Sequence, residues 1–308
     1  MVSDDAPILF SFGNTGVDFF FVLSGFILYY TYNSGFDRPD RLVPYLKKRF
    51  RRIYPVYWAV MLFVLPTLLW MPTLSKAHKQ APGFILASLL LLPQSNVPVL
   101  GVSWSLSYEV IFYLVFGICL WRRAAGLAAM AVWAGLVVAG ILVPHLYHGW
   151  FLVSWLARPR TLELFFGVTV GFLVVRHPFG YSRLMLSVGA LGFVWLGVMS
   201  SYVWGRPVGL ICLAFGLTSA MVIYGCATGE LSGRLGRAPG WMLLLGEASY
   251  SIYLTHYSVI ALQTRVLKRL APLPAYLLAF VFAVVIGVLF HILVERRILR
   301  GRRLTTAS

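Results

Sequence analysis

Long apolar stretches separated by short charged loops run along the chain from residue 15 to residue 294. Nine of them, at 15–33, 53–71, 104–121, 125–144, 159–175, 184–202, 207–227, 243–264 and 272–294, approach the roughly 20 residues that a helix needs to cross a bilayer. Without water to satisfy its backbone, a spanning segment of this kind has to be helical. The pattern therefore predicts an all-α, polytopic transmembrane helical bundle. A further run, Phe84 to Leu92, is nine residues long and bounded by Pro82 and Pro93. It is too short to cross comfortably and reads as a re-entrant or interfacial segment. No internal repeat, low-complexity tract or linker interrupts the pattern, so residues 1–308 read as a single domain.

Composition agrees with this picture. A chain that is 59% hydrophobic, 12% charged and has a mean hydropathy of +0.80 is too apolar to be a soluble domain of this length. The formal charge of +16 invites a nucleic-acid reading, but the charges sit in short clusters between apolar segments, with no basic face alternating with exposed aromatics. Lys and Arg in such clusters mark the cytoplasmic side of membrane helices. With nine spans, the loops on one side hold 18 of the 26 Lys and Arg residues. Arg38 to Arg52, Arg122, Arg123, Arg176, Arg183, Arg234, Arg237 and the tail from Arg296 lie there. Counting Phe84–Leu92 as a tenth span leaves 13 of 26 on that side, and the bias disappears. Nine spans are preferred, with the C-terminus cytoplasmic and residues 1–14 outside. The first basic residue is Arg38, so a signal peptide's charged n-region is missing, and an outside N-terminus suits a protein with one more helix upstream.

Cys119, Cys212 and Cys226 all fall in expected spans, with no CxxC and no Cys/His cluster. Isolated buried thiols behave as small apolar groups, and neither a disulfide framework nor a metal site is expected.

Four constellations carry polar chemistry into apolar surroundings. Gly16-Val-Asp18-Phe-Phe-Phe-Val-Leu-Ser24-Gly25-Phe26 places an acid at the mouth of a span and a Ser-Gly pair inside it. A charge at that depth usually faces a polar cavity. The alternatives are that Asp18 caps the helix N-terminus and that Gly16, Ser24 and Gly25 form a small-residue packing face. In Lys47-Lys-Arg49-Phe-Arg-Arg52-Ile-Tyr-Pro55, Arg49 and Arg52 are spaced i,i+3 and share a helix face. Their planar forks suit phosphate, although topology anchoring and anionic lipid explain basic residues there as well.

Trp104-Ser105-Leu-Ser-Tyr-Glu109-Val-Ile-Phe-Tyr113 puts an acid at apparent membrane depth, one turn after Ser105. Such an acid is a functional candidate, with an interhelical ion pair as the alternative. Ser249-Tyr250-Ser-Ile-Tyr253-Leu-Thr-His256 sets a histidine i,i+3 from a tyrosine. That histidine is an acid/base candidate or a satisfied interhelical hydrogen bonder. Of the remaining polar residues, Arg160 and Glu163 have the spacing to pair with each other. His145 and His148 read as interfacial, and His291 with Glu295 as a structural helix terminus.

Taken in order, these segments resemble the acyltransferase family 3 membrane proteins over nearly the whole chain. Gly16–Phe26 resembles the family's second-helix signature, Arg49-x-x-Arg52-Ile-Tyr-Pro55 its basic motif, and Trp104-x-Leu-x-x-Glu109-x-x-Phe-Tyr113 its acidic helix. Glu163-Leu-Phe-Phe-Gly167 and Ser249-Tyr250-x-Ile-Tyr253-Leu-x-His256 are similar to later elements. The resemblance implies O-acyl transfer, commonly of acetyl, from cytoplasmic acyl-CoA to a hydroxyl of a carbohydrate or glycolipid acceptor. Some relatives acylate small molecules such as macrolides. On this reading the chain is a bacterial inner-membrane acyltransferase with acyl-CoA as donor, no bound cofactor, no metal and no nucleic-acid partner. Glu109, His256 and Asp18 are the catalytic candidates. Arg49, Arg52, Ser24, Trp104 and Tyr253 are the substrate-binding candidates. Two features depart from the family. Its first helix, with an arginine and then a histidine regarded as catalytic, has no counterpart in Met1–Thr15, so nine helices of a ten-helix design are expected. The last helix ends Val294-Glu295-Arg296-Arg297 without the proline that relatives tend to carry after the glutamate. The alternatives to an active enzyme are a transporter or lipid-binding protein, or an inactive truncated member of the family.

Overall fold

The structure is a computed structural model that describes residues 15–70, 79, 81–143, 145–176, 178, 180–202, 209–266 and 272–300. The N-terminal stretch 1–14, loop residues Lys76, Arg206, Lys268 and Arg269, and the tail beyond Arg300 lie outside them. The described residues are helical and contain no strand. The helices are α1 (Gly16–Tyr32), α2 (Leu42–Trp70), α3 (Pro82–Leu89), α4 (Trp104–Trp121), α5 (Arg123–Leu142), α6 (Phe151–Leu156), α7 (Leu162–Arg176), α8 (Ser182–Tyr202), α9 (Gly209–Leu231), α10 (Gly240–Val266) and α11 (Pro272–Phe290). A π-helical turn (His291–Glu295) joins α11 to α12 (Arg296–Arg300).

Each expected span coincides with a helix. Six helical stretches among the described residues are long and apolar enough to cross a membrane. The 17 residues of α1 and the 15 of α7 fall short of that length. The largest departure from expectation is α2, which starts at Leu42 rather than near residue 53. Its first turns absorb the basic run Lys47–Arg52 into a 29-residue helix. Long basic side chains can extend along such a helix to keep their charges in water.

The chain divides into two compact units, Met1–Val43 with Ile111–Arg237 and Pro44–Val110 with Ala238–Ser308. In the first, α1 packs on α7 and α8 packs on α9. Close approach of α1 and α7 requires glycine on both sides. A Cβ at Gly25 would collide with the Leu164 carbonyl, and one at Gly167 with the Val22 carbonyl. Helices in lipid gain little from apolar burial against each other, so backbone approach and dense packing dominate. A Cβ at Gly16, expected to share this role, would meet nothing outside its own stretch of helix within 4 Å, because Gly16 is the first residue of α1 and precedes the contact. Around this pair Val22, Val170, Val174, Ala220, Ile223 and Tyr224 form a buried core. Asn33 stops α1 by donating from Nδ2 to the Tyr29 carbonyl at 3.0 Å. Asp37 caps α5 by accepting from Arg123 N at 2.7 Å.

In the second unit the short run after Pro82 is α3, eight residues long, as the proline-bounded segment implied. Its C-terminal carbonyls are met by three side chains from neighbouring turns of α2. Tyr57 Oη donates to Ser88 O at 2.7 Å, Trp58 Nε1 to Leu89 O at 3.0 Å, and Tyr54 Oη to Leu90 O at 3.0 Å. A helix end in apolar surroundings is tolerated where partners of this kind replace water. In the same unit α10 packs on α11, and Gly287 lies against Ile252.

Candidate functional site

Six of the eight candidate residues belong to the second unit, placed there by α2, α4 and α10. The N-terminal turn Gly101–Ser103 sets up α4, with Gly101 under the ring of Tyr257. From there Ser105 Oγ lies 2.6 Å from Tyr253 Oη. Tyr253 Oη also reaches the Val102 carbonyl at 2.8 Å. Both hydroxyls thus cross between α10 and the start of α4, a contact between residues 148 apart in sequence. Trp104 is half-buried beside Tyr108, their rings edge to face at 6.1 Å. Glu109, also half-buried, follows one turn after Ser105.

His256 is half-buried and its Nδ1 lies 2.7 Å from the Tyr253 carbonyl. A carbonyl accepts, so Nδ1 carries the proton and Nε2 keeps its lone pair. The ring stands 5.6 Å from that of Tyr253. This geometry gives His256 an oriented, basic nitrogen, which is what abstraction of a hydroxyl proton requires.

The two arginines expected to act together have different surroundings. Arg49 lies with its guanidinium 6.0 Å from the Tyr45 ring centre. Arg52 lies over Tyr250 at 5.4 Å and binds Glu295 Oε1 through Nη1 at 2.8 Å. Glu295 is fully buried, whereas 42% of the Arg52 side chain is exposed. The opposite oxygen of Glu295 accepts from Ser251 Oγ at 2.7 Å and from His291 Nδ1 at 2.7 Å. The sequence places Glu295 one residue past the expected span 272–294, so the criterion that flags Glu109, an acid inside a span, passes it over and leaves it as a helix terminus.

The other two candidates lie in the first unit. Asp18 is only 1% exposed and forms an ion pair with Arg160 Nε at 2.9 Å. Arg160, whose spacing allows pairing with Glu163, sits in the 3-10 turn Pro159–Thr161 ahead of α7, and from there its guanidinium reaches across to α1. Glu163 is fully buried. Donor atoms of Asp18, Glu163 and Cys212 lie within 4.8 Å of one another, close enough for one ion to touch all three, with Arg160 already supplying a positive charge to the first. Ser24 is half-buried on α1. All three cysteines are free thiols.

Comparison with known proteins adds a family and two relatives. A family model described as an acyltransferase domain matches residues 2–292. The exopolysaccharide production protein ExoZ of Rhizobium meliloti (strain 1021) is 31% identical over 314 residues, covering 96% of this chain and 92% of that protein. The acyltransferase MdmB of Streptomyces mycarofaciens is 29% identical over 342 residues, covering 96% of this chain and 84% of that protein. No solved structure matches significantly.

Proposed function

The chain belongs to acyltransferase family 3, and on that premise we propose that it is a membrane-embedded O-acyltransferase acting on a carbohydrate or glycoconjugate. The donor is acyl-CoA, with acetyl the expected acyl group. Both units serve this one activity as a single domain in the inner membrane, with the C-terminus cytoplasmic. The observation that carries the reading is similarity across 96% of the chain both to a protein of exopolysaccharide production and to a named acyltransferase.

The chemistry is attack of an acceptor hydroxyl oxygen on the thioester carbonyl. A C–O bond forms, the C–S bond breaks, the hydroxyl gives up its proton, and the thiolate of CoA leaves and is protonated. His256, whose Nδ1–H is tied to the Tyr253 carbonyl, offers Nε2 to the acceptor hydroxyl. Glu109, one turn beyond Ser105 on α4, stabilises the positive charge that develops as the proton moves. Tyr253 and Trp104 bound the acceptor, and Arg49 and Arg52 hold phosphates of the donor. Asp18 and Ser24 act from α1, Asp18 by holding that helix to Arg160.

The test is transfer of radiolabelled acetyl from acetyl-CoA by protein purified into lipid nanodiscs, with exopolysaccharide and oligosaccharide acceptors. Label in the carbohydrate, removed by mild base as an O-ester, is the expected result. Neither labelled carbohydrate nor release of free CoA across a panel of acceptors would overturn the reading.

A further inference from the structure

We propose that Glu295 is a positioning residue that aims Arg52 at a phosphate of the donor, and that the π-helical turn His291–Glu295 exists to build its cradle. The proposal rests on the acyl-CoA reading above. Glu295 is fully buried and accepts three hydrogen bonds. Arg52 Nη1 reaches Oε1 at 2.8 Å, and Ser251 Oγ and His291 Nδ1 each reach Oε2 at 2.7 Å. A buried carboxylate held by three donors from three segments has little freedom to move.

The cradle is itself braced. Arg296 Nε donates to His291 Nε2 at 3.2 Å, and an arginine N–H can only donate. His291 Nε2 is therefore the acceptor and Nδ1 the donor toward Glu295. Arg296 Nη2 in turn binds Glu247 at 2.7 Å. Residues 291 and 296 are five apart and would diverge on a regular α-helix. The wider π turn, closed by Arg296 N–H to the His291 carbonyl, brings them to one face. Turns of this type recur at functional sites.

What leaves the cradle is the other end of Arg52. Its side chain is 42% exposed and lies against Tyr250. Glu295 lowers the net charge that Arg52 offers an anion, so its contribution is direction. The long side chain is immobilised in the folded protein rather than at the moment of binding, and a preorganised fork loses less entropy when phosphate arrives.

The experiment compares donors with and without phosphate, using the full chain in lipid nanodiscs. CoA affinity is measured by isothermal titration, and KM and kcat are measured for acetyl-CoA and acetyl-pantetheine. Glu295→Gln is expected to weaken CoA binding about tenfold, the scale of one charge-assisted hydrogen bond. The preference for CoA over pantetheine should fall by the same factor while kcat changes less than about twofold. Arg52→Lys should match it, and Ser251→Ala should show a smaller loss in the same direction. A Glu295→Gln protein that loses thermal stability or kcat but keeps the donor preference would make the tie purely structural and overturn the proposal. If Glu295→Gln does not fold, Ser251→Ala and His291→Gln, which retain both charges, decide by the same ratio. Equal KM values for the two donors in the unaltered protein also overturn it, with acyl transfer left standing. Glu295-dependent CoA binding without transfer from either donor would instead remove the enzyme reading and leave the positioning role intact.

Discussion

His256 and Asp18 were singled out by the same reasoning, a polar group in an apolar span, and the structure gives them different environments. His256 is half-buried with its Nδ1 tied to a main-chain carbonyl, whereas Asp18 is closed in by protein and held by Arg160. The consequences of substitution should differ in kind. His256→Asn sets an amide N–H where Nδ1 donates to the Tyr253 carbonyl but removes the base, and kcat for acyl transfer should fall about 10²- to 10⁴-fold with thermal stability unchanged. Retained kcat would exclude His256 as the base. Arg160→Met leaves Asp18 and Glu163 buried without the guanidinium beside them, a change expected to cost about 3–5 kcal/mol. Asp18→Asn, which removes one charge of an acidic pair, should cost much less. Thermal unfolding in detergent gives the order, and a more damaging Asp18→Asn would show that the pair is held by something other than Arg160. The sequence marked these residues because rarity of charge in a span is visible in one dimension. It did not mark partners, since Arg52 and Glu295 are 243 residues apart and no local spacing encodes that distance.

Helix positions were legible because length, proline and charge act locally. The expected segment 125–144 is α5 (Arg123–Leu142), and 207–227 is α9 (Gly209–Leu231). The α2 helix outruns the expected span 53–71, because the basic residues 47–52, whose i,i+3 arginines share a helix face, continue it beyond its apolar part. Packing was legible only in part. Gly25 and Gly16 look alike in sequence, but only Gly25 meets a neighbouring backbone. Gly167→Leu should therefore drive α1 from α7, lowering thermal stability by at least about 1–3 kcal/mol, while Gly16→Leu should be close to neutral. Equal effects would mean that the α1–α7 approach does not limit stability. The contact between α2 and α3 makes a similar claim testable. Tyr57→Phe removes one donor from the Ser88 carbonyl, which keeps the Leu91 N–H at 3.1 Å, and should cost about 0.5–1.5 kcal/mol, the net worth of one hydrogen bond. A neutral Tyr57→Phe would argue that the main-chain donor alone satisfies that helix end.

At the scale of the molecule, the short helix α3 decides how the chain threads the bilayer. Eight residues with their terminal carbonyls taken up by α2 side chains suit a segment that enters and leaves on one side. The charge distribution argues the same way, with 18 of 26 basic residues on one side for nine spans against 13 for ten. The two arrangements make opposite predictions for loops on either side of α3. With nine spans, Asp40, before α2, and Ser232, after α9, face the cytoplasm together. With ten, they face opposite sides. Cys226 is exposed and must first be replaced by serine to remove background labelling. Asp40→Cys and Ser232→Cys should then both resist a membrane-impermeant maleimide in intact spheroplasts and both react after permeabilisation. His148→Cys, in the loop after α5, should react in intact spheroplasts. If Asp40→Cys and Ser232→Cys label from opposite sides, α3 crosses the membrane, and Arg49 and Arg52 no longer share a side with the C-terminal tail.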